Sequence, residues 1–145
     1  MSHSIQIKIR GYHLDFYGHV NNARYLEFLE EARWAHLEQG VDLGFWKERG
    51  LGFVVASLTI NYRRPAGLGT VIEVRSHVDH LGGKSGVIHQ DVVDSVTGSA
   101  IADADVTFVV VDMRTGKAVA LEGEIRQQLL EPKEEAGQTP EGEGG

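Results

Sequence analysis

The sequence predicts an α+β domain in which an antiparallel β-sheet of five to six strands wraps around one long central α-helix. Between Tyr25 and His36 the apolar side chains recur with a helical period, whereas from Leu51 to Val110 apolar and polar side chains alternate. Short turns separate the alternating segments, and such turns favour antiparallel pairing because parallel neighbours need crossovers of a dozen residues or more. One helix cannot cover such a sheet completely, so we expect a second copy of the chain to cover or extend what remains.

The first strand is predicted at residues 5–9, where isoleucine alternates with polar side chains, and Gly11 ends it. The long helix is predicted from Asn21 or Asn22, either of which is a candidate N-cap, to Gln39, with Gly40 as its stop. Its buried stripe comprises Tyr25, Phe28, Leu29, Ala32 and His36, with Leu26 at the margin.

The remaining elements follow in order. The connector 41–50 carries Phe45 and Trp46 as apolar anchors and at most one short helical turn. The second strand, 51–62, is expected to bury one face, formed by Val54, Ala56, Leu58, Ile60 and Tyr62. The third is expected to bury Ile72, Val74, Ser76 and Val78. The turn 81–84 leads into a fourth strand, 85–94.

The fifth strand has the clearest alternation, and small residues dominate the start of its buried face: Ala100, Ala102, Ala104, Val106, Phe108 and Val110. Small side chains leave room for a bulky neighbour, so we expect the long helix to lie against this face. A short strand around Val119 and a helix from about Glu122 to Leu130 complete the domain.

Length and composition bound the possible functions. The 145 residues suit one domain, which we expect to span residues 1–130. The chain has no cysteine, which excludes disulfides, thiolate metal sites and cysteine nucleophiles and permits a reducing compartment. No apolar run approaches the roughly 20 residues that span a bilayer, so we expect a soluble cytoplasmic protein with no membrane partner.

The formal net charge of −7 is concentrated at the C-terminus, because residues 131–145 carry five glutamates and one lysine. We expect this segment to be an acidic disordered tail, since it has almost nothing to bury. The rest of the chain is only mildly acidic. A basic face is the expected footprint of nucleic-acid binding, so no nucleic-acid partner is predicted.

A candidate site lies between the first strand and the helix. There a short loop carries an acid, Asp15, and a histidine, His19, and runs into Asn21 and Asn22. A helix N-terminus offers free N–H groups that stabilise negative charge. The alternative to a catalytic role is structural: Asp15 caps a turn, and the asparagines cap the helix.

The segment DFYGHVNNARY, residues 15–25, follows one strand and opens one long helix, and it resembles the hotdog-fold thioesterases of the 4-hydroxybenzoyl-CoA thioesterase-like superfamily. The wider set RGYHLD, HVNNARYLEFLEEARW, INYRRPA, GKSG and ALEGE resembles the long-chain acyl-CoA thioesterase III type of bacterial fatty-acid degradation. The resemblance covers roughly residues 5–128. It implies a hotdog fold and hydrolysis of acyl-CoA to free fatty acid and CoA, without a cofactor.

The resemblance also implies site residues. Asp15 matches the family's catalytic carboxylate, which acts as nucleophile or as general base, and His19 is matched with it. Asn22 falls where relatives offer a backbone N–H to the thioester carbonyl. Plant acyl-carrier-protein thioesterases have an Asp, Asn, His triplet in this loop, and Tyr17 replaces its asparagine here. The site is implied to lie at a subunit interface of a homodimer or homotetramer.

Other residues are less specific. Tyr25 is a core residue by position and a candidate substrate contact. Arg63, Arg64 and Lys84 are candidates for the phosphates of CoA or are solvated charges at strand ends. Glu30 and Glu31 belong to the solvated face of the helix. The strand histidines His77, His80 and His89 show no metal-ligand spacing, so no metal is expected.

The apolar strip between helix and sheet is expected to hold the acyl chain, which favours medium to long chains. Two other hypotheses remain open at this stage. A hydroxyacyl dehydratase on the same fold would also pair a histidine with an acid. A non-catalytic acyl-CoA binding module would bind the same ligand without releasing thiol.

Overall fold

The computed structural model describes residues 2–130, so the predicted acidic tail at 131–145 lies outside the described residues. A six-stranded sheet and one long helix form the domain. The elements are β1 (Ser2–Lys8), a 3-10 turn (Gly11–His13), α1 (Asn22–Gly40), α2 (Leu43–Glu48), β2 (Leu51–Tyr62), β3 (Val71–Leu81), β4 (Ser85–Asp94), β5 (Ala100–Asp112), β6 (Lys117–Val119) and α3 (Gly123–Leu130).

All pairings between strands are antiparallel, and the order across the sheet is β1-β3-β4-β5-β2, with β6 added to β5. Helix α1 packs against the inner face of this sheet. The predicted fold class is therefore confirmed. No helix within residues 2–130 is both long and apolar enough to cross a membrane.

The main core lies between α1 and the sheet. The predicted stripe of α1 is buried, and Leu29 at its centre has no exposed surface. Ala102 and Ala104 of β5 belong to the same cluster as Tyr25, Phe28 and Leu29, as their small size predicted. A second cluster surrounds Trp46 of α2, so the connector is a packed helix.

The ends of α1 decide between the predicted alternatives. Asn21 is the N-cap, since its Oδ1 accepts a hydrogen bond from the Ala23 N–H at 2.9 Å. The expectation that Gly40 stops the helix is wrong by one residue. Gly40 is the last helical residue, and Val41 is the C-cap, with extended backbone and its N–H bonded to the Leu37 carbonyl.

The predicted single buried face of β2 is correct at Leu58 and Ile60, which pack on the core, but wrong before them, at Val54. The pairing of β2 with β5 shifts between Val55 and Ser57, which places a β-bulge at Ala56. An extra residue reverses which face the following side chains point to. Phe53 therefore packs inward before the bulge and Leu58 after it, whereas Val54 is exposed.

A second irregularity lies between β4 and β5. Val92 pairs with Ala102 and Val93 with Ala100, so Ile101 is the extra residue in β5. Ile101 is buried and Ala100 is exposed. The predicted buried face of β5 therefore begins at Ala102, two residues later than the alternation indicated.

Candidate active site

The loop between β1 and α1 forms a closed turn around Asp15. The Asp15 N–H donates to the His19 carbonyl at 2.8 Å, and the Gly18 N–H donates to the Asp15 carbonyl at 3.1 Å. Oδ1 of Asp15 accepts from the N–H groups of Tyr17 at 2.9 Å and His19 at 3.3 Å. Gly18 has a φ of 79°, which favours glycine. The turn-capping role of Asp15 is thus real, but it uses one carboxylate oxygen.

The second carboxylate oxygen, Oδ2, has no hydrogen-bond partner among residues 2–130. The side chain is only partly buried. Because Oδ1 holds the turn, Oδ2 is available to a substrate or to water without disrupting the loop.

Backbone hydrogen bonds fasten this loop to the domain. The Val20 N–H donates to the Ala66 carbonyl at 2.9 Å, and the Asn21 N–H donates to the His13 carbonyl at 2.9 Å. His13 is buried beside Phe28, with ring centroids 5.0 Å apart, and its Nδ1 accepts from the Arg10 N–H. Burial, with a smaller contribution from Arg24, lowers the pKa of His13. A neutral His13 therefore packs beside Phe28 and binds the loop through its backbone carbonyl, which accepts from the Asn21 N–H.

The N-terminus of α1 leaves one amide unused. The Ala23 N–H is capped by Asn21, and the Arg24 N–H donates to the Asn21 carbonyl at 2.9 Å. The Asn22 N–H has no partner among the described residues. The Asn22 carbonyl accepts from the Tyr62 hydroxyl at 3.2 Å, which ties this turn to the end of β2. A free amide at a helix N-terminus is a suitable donor to an oxyanion.

His19 and Tyr25 occupy different environments. His19 is exposed, and its ring has no hydrogen-bond partner within residues 2–130. Tyr25 is buried, with its ring 5.9 Å from Phe28 and 5.6 Å from Tyr62. Burial raises the pKa of Tyr25 to about 12, so the phenol stays neutral. Tyr25 thus packs against Tyr62, whose hydroxyl donates to the Asn22 carbonyl.

One chain does not bring the three predicted phosphate contacts together. Arg63 and Arg64 follow β2 at the end that holds Asn22, and Arg63 pairs with Asp103, Nε to Oδ2, at 2.8 Å. Lys84 precedes Ser85, which pairs with Val109, whereas Tyr62 pairs with Ala102. At ~3.3 Å per residue along β5, these two positions are roughly 23 Å apart. Lys84 and the arginines therefore lie at opposite ends of the sheet.

The strand histidines lie on the outer face of the sheet. The rings of His77 and His89 are 5.5 Å apart. Nδ1 of His89 lies 2.8 Å from Asp105, and Nε2 lies 3.1 Å from Asp91. The Asp105 hydrogen bond raises the pKa of His89, with a smaller contribution from Asp91. Within residues 2–130 no three acidic or histidine side chains are placed to hold a metal ion.

A groove of about 870 Å³ runs between α1, α2 and the start of β2. Most of its lining is apolar, and its walls include Trp34, Leu37, Trp46, Phe53, Val55 and Met113. Three charged residues, Glu30, Arg33 and Lys47, also line it. The sequence predicted an apolar strip between helix and sheet but missed the contributions of α2 and Met113, which depend on tertiary packing.

Comparisons with known proteins agree with this architecture. The sequence profile of the Thioesterase-like superfamily matches residues 9–129. The chain is 52% identical over 124 residues to the long-chain acyl-CoA thioesterase FadM of Escherichia coli, covering 86% of this chain and 94% of that protein.

Solved structures show the same similarity. A probable thioesterase from Escherichia coli, YbaW, superposes with a TM-score of 0.83 at 51% identity, covering 87% of this chain and 95% of that one. A probable thioesterase from Bartonella henselae superposes with a TM-score of 0.68 at 30% identity, covering 83% of this chain and 98% of that one. The predicted resemblance is confirmed, and the chain belongs to the thioesterase-like superfamily with the hotdog fold.

Proposed function

We propose that this protein hydrolyses medium- to long-chain acyl-CoA thioesters to free fatty acid and CoA. One observation carries the proposed site: the loop and the helix start that follows it present a carboxylate oxygen, Oδ2 of Asp15, and a backbone amide, the N–H of Asn22, that have no hydrogen-bond partner among residues 2–130. Thioester hydrolysis requires both a base or nucleophile and a donor to the developing oxyanion. The relative from Escherichia coli named as a long-chain acyl-CoA thioesterase supports the substrate class.

Two routes use these groups. In one, the Asp15 carboxylate attacks the thioester carbonyl, CoA leaves as thiolate, and water hydrolyses the resulting anhydride. In the other, the carboxylate removes a proton from a water molecule that attacks the carbonyl directly, and the C–S bond then breaks, so that CoA leaves as thiolate and takes up that proton. In both, the Asn22 N–H donates to the oxyanion, and exposed His19 is a candidate to orient water or polarise the carbonyl. Neither route needs a cofactor or a metal.

The acyl chain is proposed to lie in the apolar groove between α1, α2 and β2. The groove volume of about 870 Å³ suits a long hydrocarbon chain, and its aromatic and aliphatic walls remove that chain from water. Arg64 at the end of β2 has no ion-pair partner among residues 2–130 and is a candidate contact for CoA phosphate. Arg63 is a candidate phosphate contact only through the N–H groups that do not bond to Asp103. Lys84 is a candidate only if it reaches the active site of another subunit.

A homodimer or homotetramer with the site at a subunit interface is proposed. Within residues 2–130, β2 is paired only with β5, so its other edge of twelve residues is open. Val54 and Val55 are exposed along it. An open, apolar edge strand is a template for pairing with another chain, and a second copy would cover it. A cytoplasmic location stays a prediction, made because no apolar run in the sequence is long enough to span a bilayer, and the cysteine-free composition permits it.

The test is thiol release from acyl-CoAs of graded chain length. Asp15→Asn keeps an oxygen that can accept the two N–H groups of the turn but removes the negative charge, so we expect thiol release to fall at least about a hundredfold without loss of folding. Asp94→Asn is the matched control, because Oδ1 of Asp94 also caps a turn, through the N–H groups of Val96 and Thr97. An Asp15→Asn enzyme as active as wild type would rule out the assigned role.

The same assay separates the alternatives. A hydroxyacyl dehydratase would hydrate enoyl-CoA, and Asp15→Asn would not selectively abolish hydrolysis. A binding module would retain acyl-CoA without releasing thiol at any chain length. Thiol release by the wild-type protein, with a maximum at medium or long chains, supports the proposed function against both.

A further inference from the structure

The groove proposed for the acyl chain contains a cationic side chain, Arg33, among its apolar walls. Arg33 follows Glu30 by less than one turn of α1, and both line the groove. Burial lowers the pKa of the Arg33 guanidinium, and the nearby Glu30 carboxylate partly offsets this effect. A guanidinium stays charged in proteins, and a charge held in apolar surroundings is costly unless it is paired. A purely hydrocarbon chain gives it no partner.

A buried polar network holds Arg33 in this place. Nη1 of Arg33 donates to Oε1 of Gln90 at 3.1 Å. Gln90 is fully buried, and its Nε2 donates to the Leu29 carbonyl at 3.0 Å and to Oγ of Ser76 at 2.9 Å. Both amide hydrogens and the carbonyl of Gln90 are therefore used. The network joins α1, β3 and β4, so the guanidinium is positioned by the core of the domain.

Most donors of Arg33 remain unused. A guanidinium carries five N–H donors. Within residues 2–130 only Nη1 has a hydrogen-bond partner, and Arg33 forms no ion pair with a carboxylate. Arg33 thus has unused donors beside a groove that is mostly apolar and carries two other charged residues, Glu30 and Lys47.

We propose that Arg33 donates a hydrogen bond to an oxygen carried by the acyl chain, so that the enzyme prefers hydroxyl- or oxo-substituted acyl-CoAs over unsubstituted ones of the same length. This inference rests on the proposed function and refines its substrate class. A site that hydrogen-bonds a substrate oxygen discriminates against an analogue that lacks it, because a bound hydrocarbon chain displaces water from the partly buried guanidinium and leaves its donors unpaired. The alternative is a purely structural role, in which Arg33 serves only as the hydrogen-bond donor to Oε1 of Gln90.

The test compares kcat/KM for matched acyl-CoAs of one chain length, unsubstituted or carrying a hydroxyl group at C3 or in mid-chain. We expect wild type to favour one hydroxylated substrate by about tenfold or more, as a charge-assisted hydrogen bond would give. In Arg33→Met this preference should disappear, whereas Arg33→Lys, which keeps a cation, should retain part of it. Arg75→Met, on the outer face of the sheet and paired there with Glu73, is the control and should behave as wild type.

Two results would overturn the proposal. One is a wild-type enzyme with no preference for any hydroxylated chain, a measurement that needs no variant and so does not depend on how variants fold. The other is an Arg33→Met enzyme that loses activity equally on all the substrates, which is the result for a purely structural role. Failure of the proposed function is distinguishable from both, because wild type would then release no thiol from any acyl-CoA.

Discussion

Acidification should destabilise this protein through His36, which lies near the C-terminal end of α1. The side chain is 3% exposed, and neither ring nitrogen has a hydrogen-bond partner among the described residues. Among the described residues, two histidines act on its charge: His3 of β1, with its ring centroid 6.5 Å away, and His77 of β3. Burial, and then the repulsion from these histidines, lowers the pKa of His36 from 6.5 to about 4.

The size of the effect follows from the difference in pKa. Each unit corresponds to 1.36 kcal/mol, so the shift from 6.5 to about 4 amounts to about 3 kcal/mol. The unfolded chain binds the proton more tightly than the folded one. The contribution of neutral His36 to the free energy of unfolding is therefore fully present above pH 6.5 and is lost as the pH falls towards 4. About 3 kcal/mol is a large part of the 5–15 kcal/mol typical of a domain.

The measurement is chemical denaturation of wild type and His36→Leu at pH 7.5, 5.5 and 4.5. Leucine removes both unpaired ring nitrogens, so we expect the free energy of unfolding of the variant to be close to that of wild type at pH 7.5. Between pH 7.5 and 4.5 the variant should lose about 3 kcal/mol less of that free energy than wild type does. His80→Leu, which replaces an exposed histidine of β3, is the control. If wild type and His36→Leu lost the same stability between pH 7.5 and 4.5, the buried neutral state of His36 would not be the cause.

Two further substitutions test local packing and capping. Gly86→Ala should destabilise the domain by about 1–3 kcal/mol, because a Cβ there would lie 2.6 Å from the buried ring of Phe108 and 2.8 Å from Leu81; Gly83→Ala, where a Cβ meets nothing within 4 Å, should change the denaturation midpoint little. Asn21→Ala should cost about 1 kcal/mol by removing the N-cap of α1 and should also lower thiol release, whereas Asn21→Asp keeps the cap. Equal stability of Asn21→Ala and Asn21→Asp would show that the cap hydrogen bond contributes nothing.

The sequence by itself determined the elements and the loop that carries the proposed site. The helical period from Tyr25 to His36 and the strand alternation depend on local geometry, since a side chain's face is set by its position in the repeat. Asp15, His19 and Asn22 are close in sequence and stay close in space. The catalytic role of Asp15 remains a prediction, but the sequence alone indicated that this residue lies on the loop before the helix.

Only the tertiary structure decided features that join distant segments. The bulge at Ala56 depends on pairing with β5, so alternation along β2 alone could not show which side chains turn outward. Arg33 and Gln90 are 57 residues apart, and nothing in their local patterns predicts that they share a hydrogen bond. Glu30 is exposed, as the helical pattern predicted, but that pattern could not show that it borders the groove together with Arg33. A periodic pattern specifies which face a residue occupies, but the free energy of burial is set by what packs on that face, and that requires the whole fold.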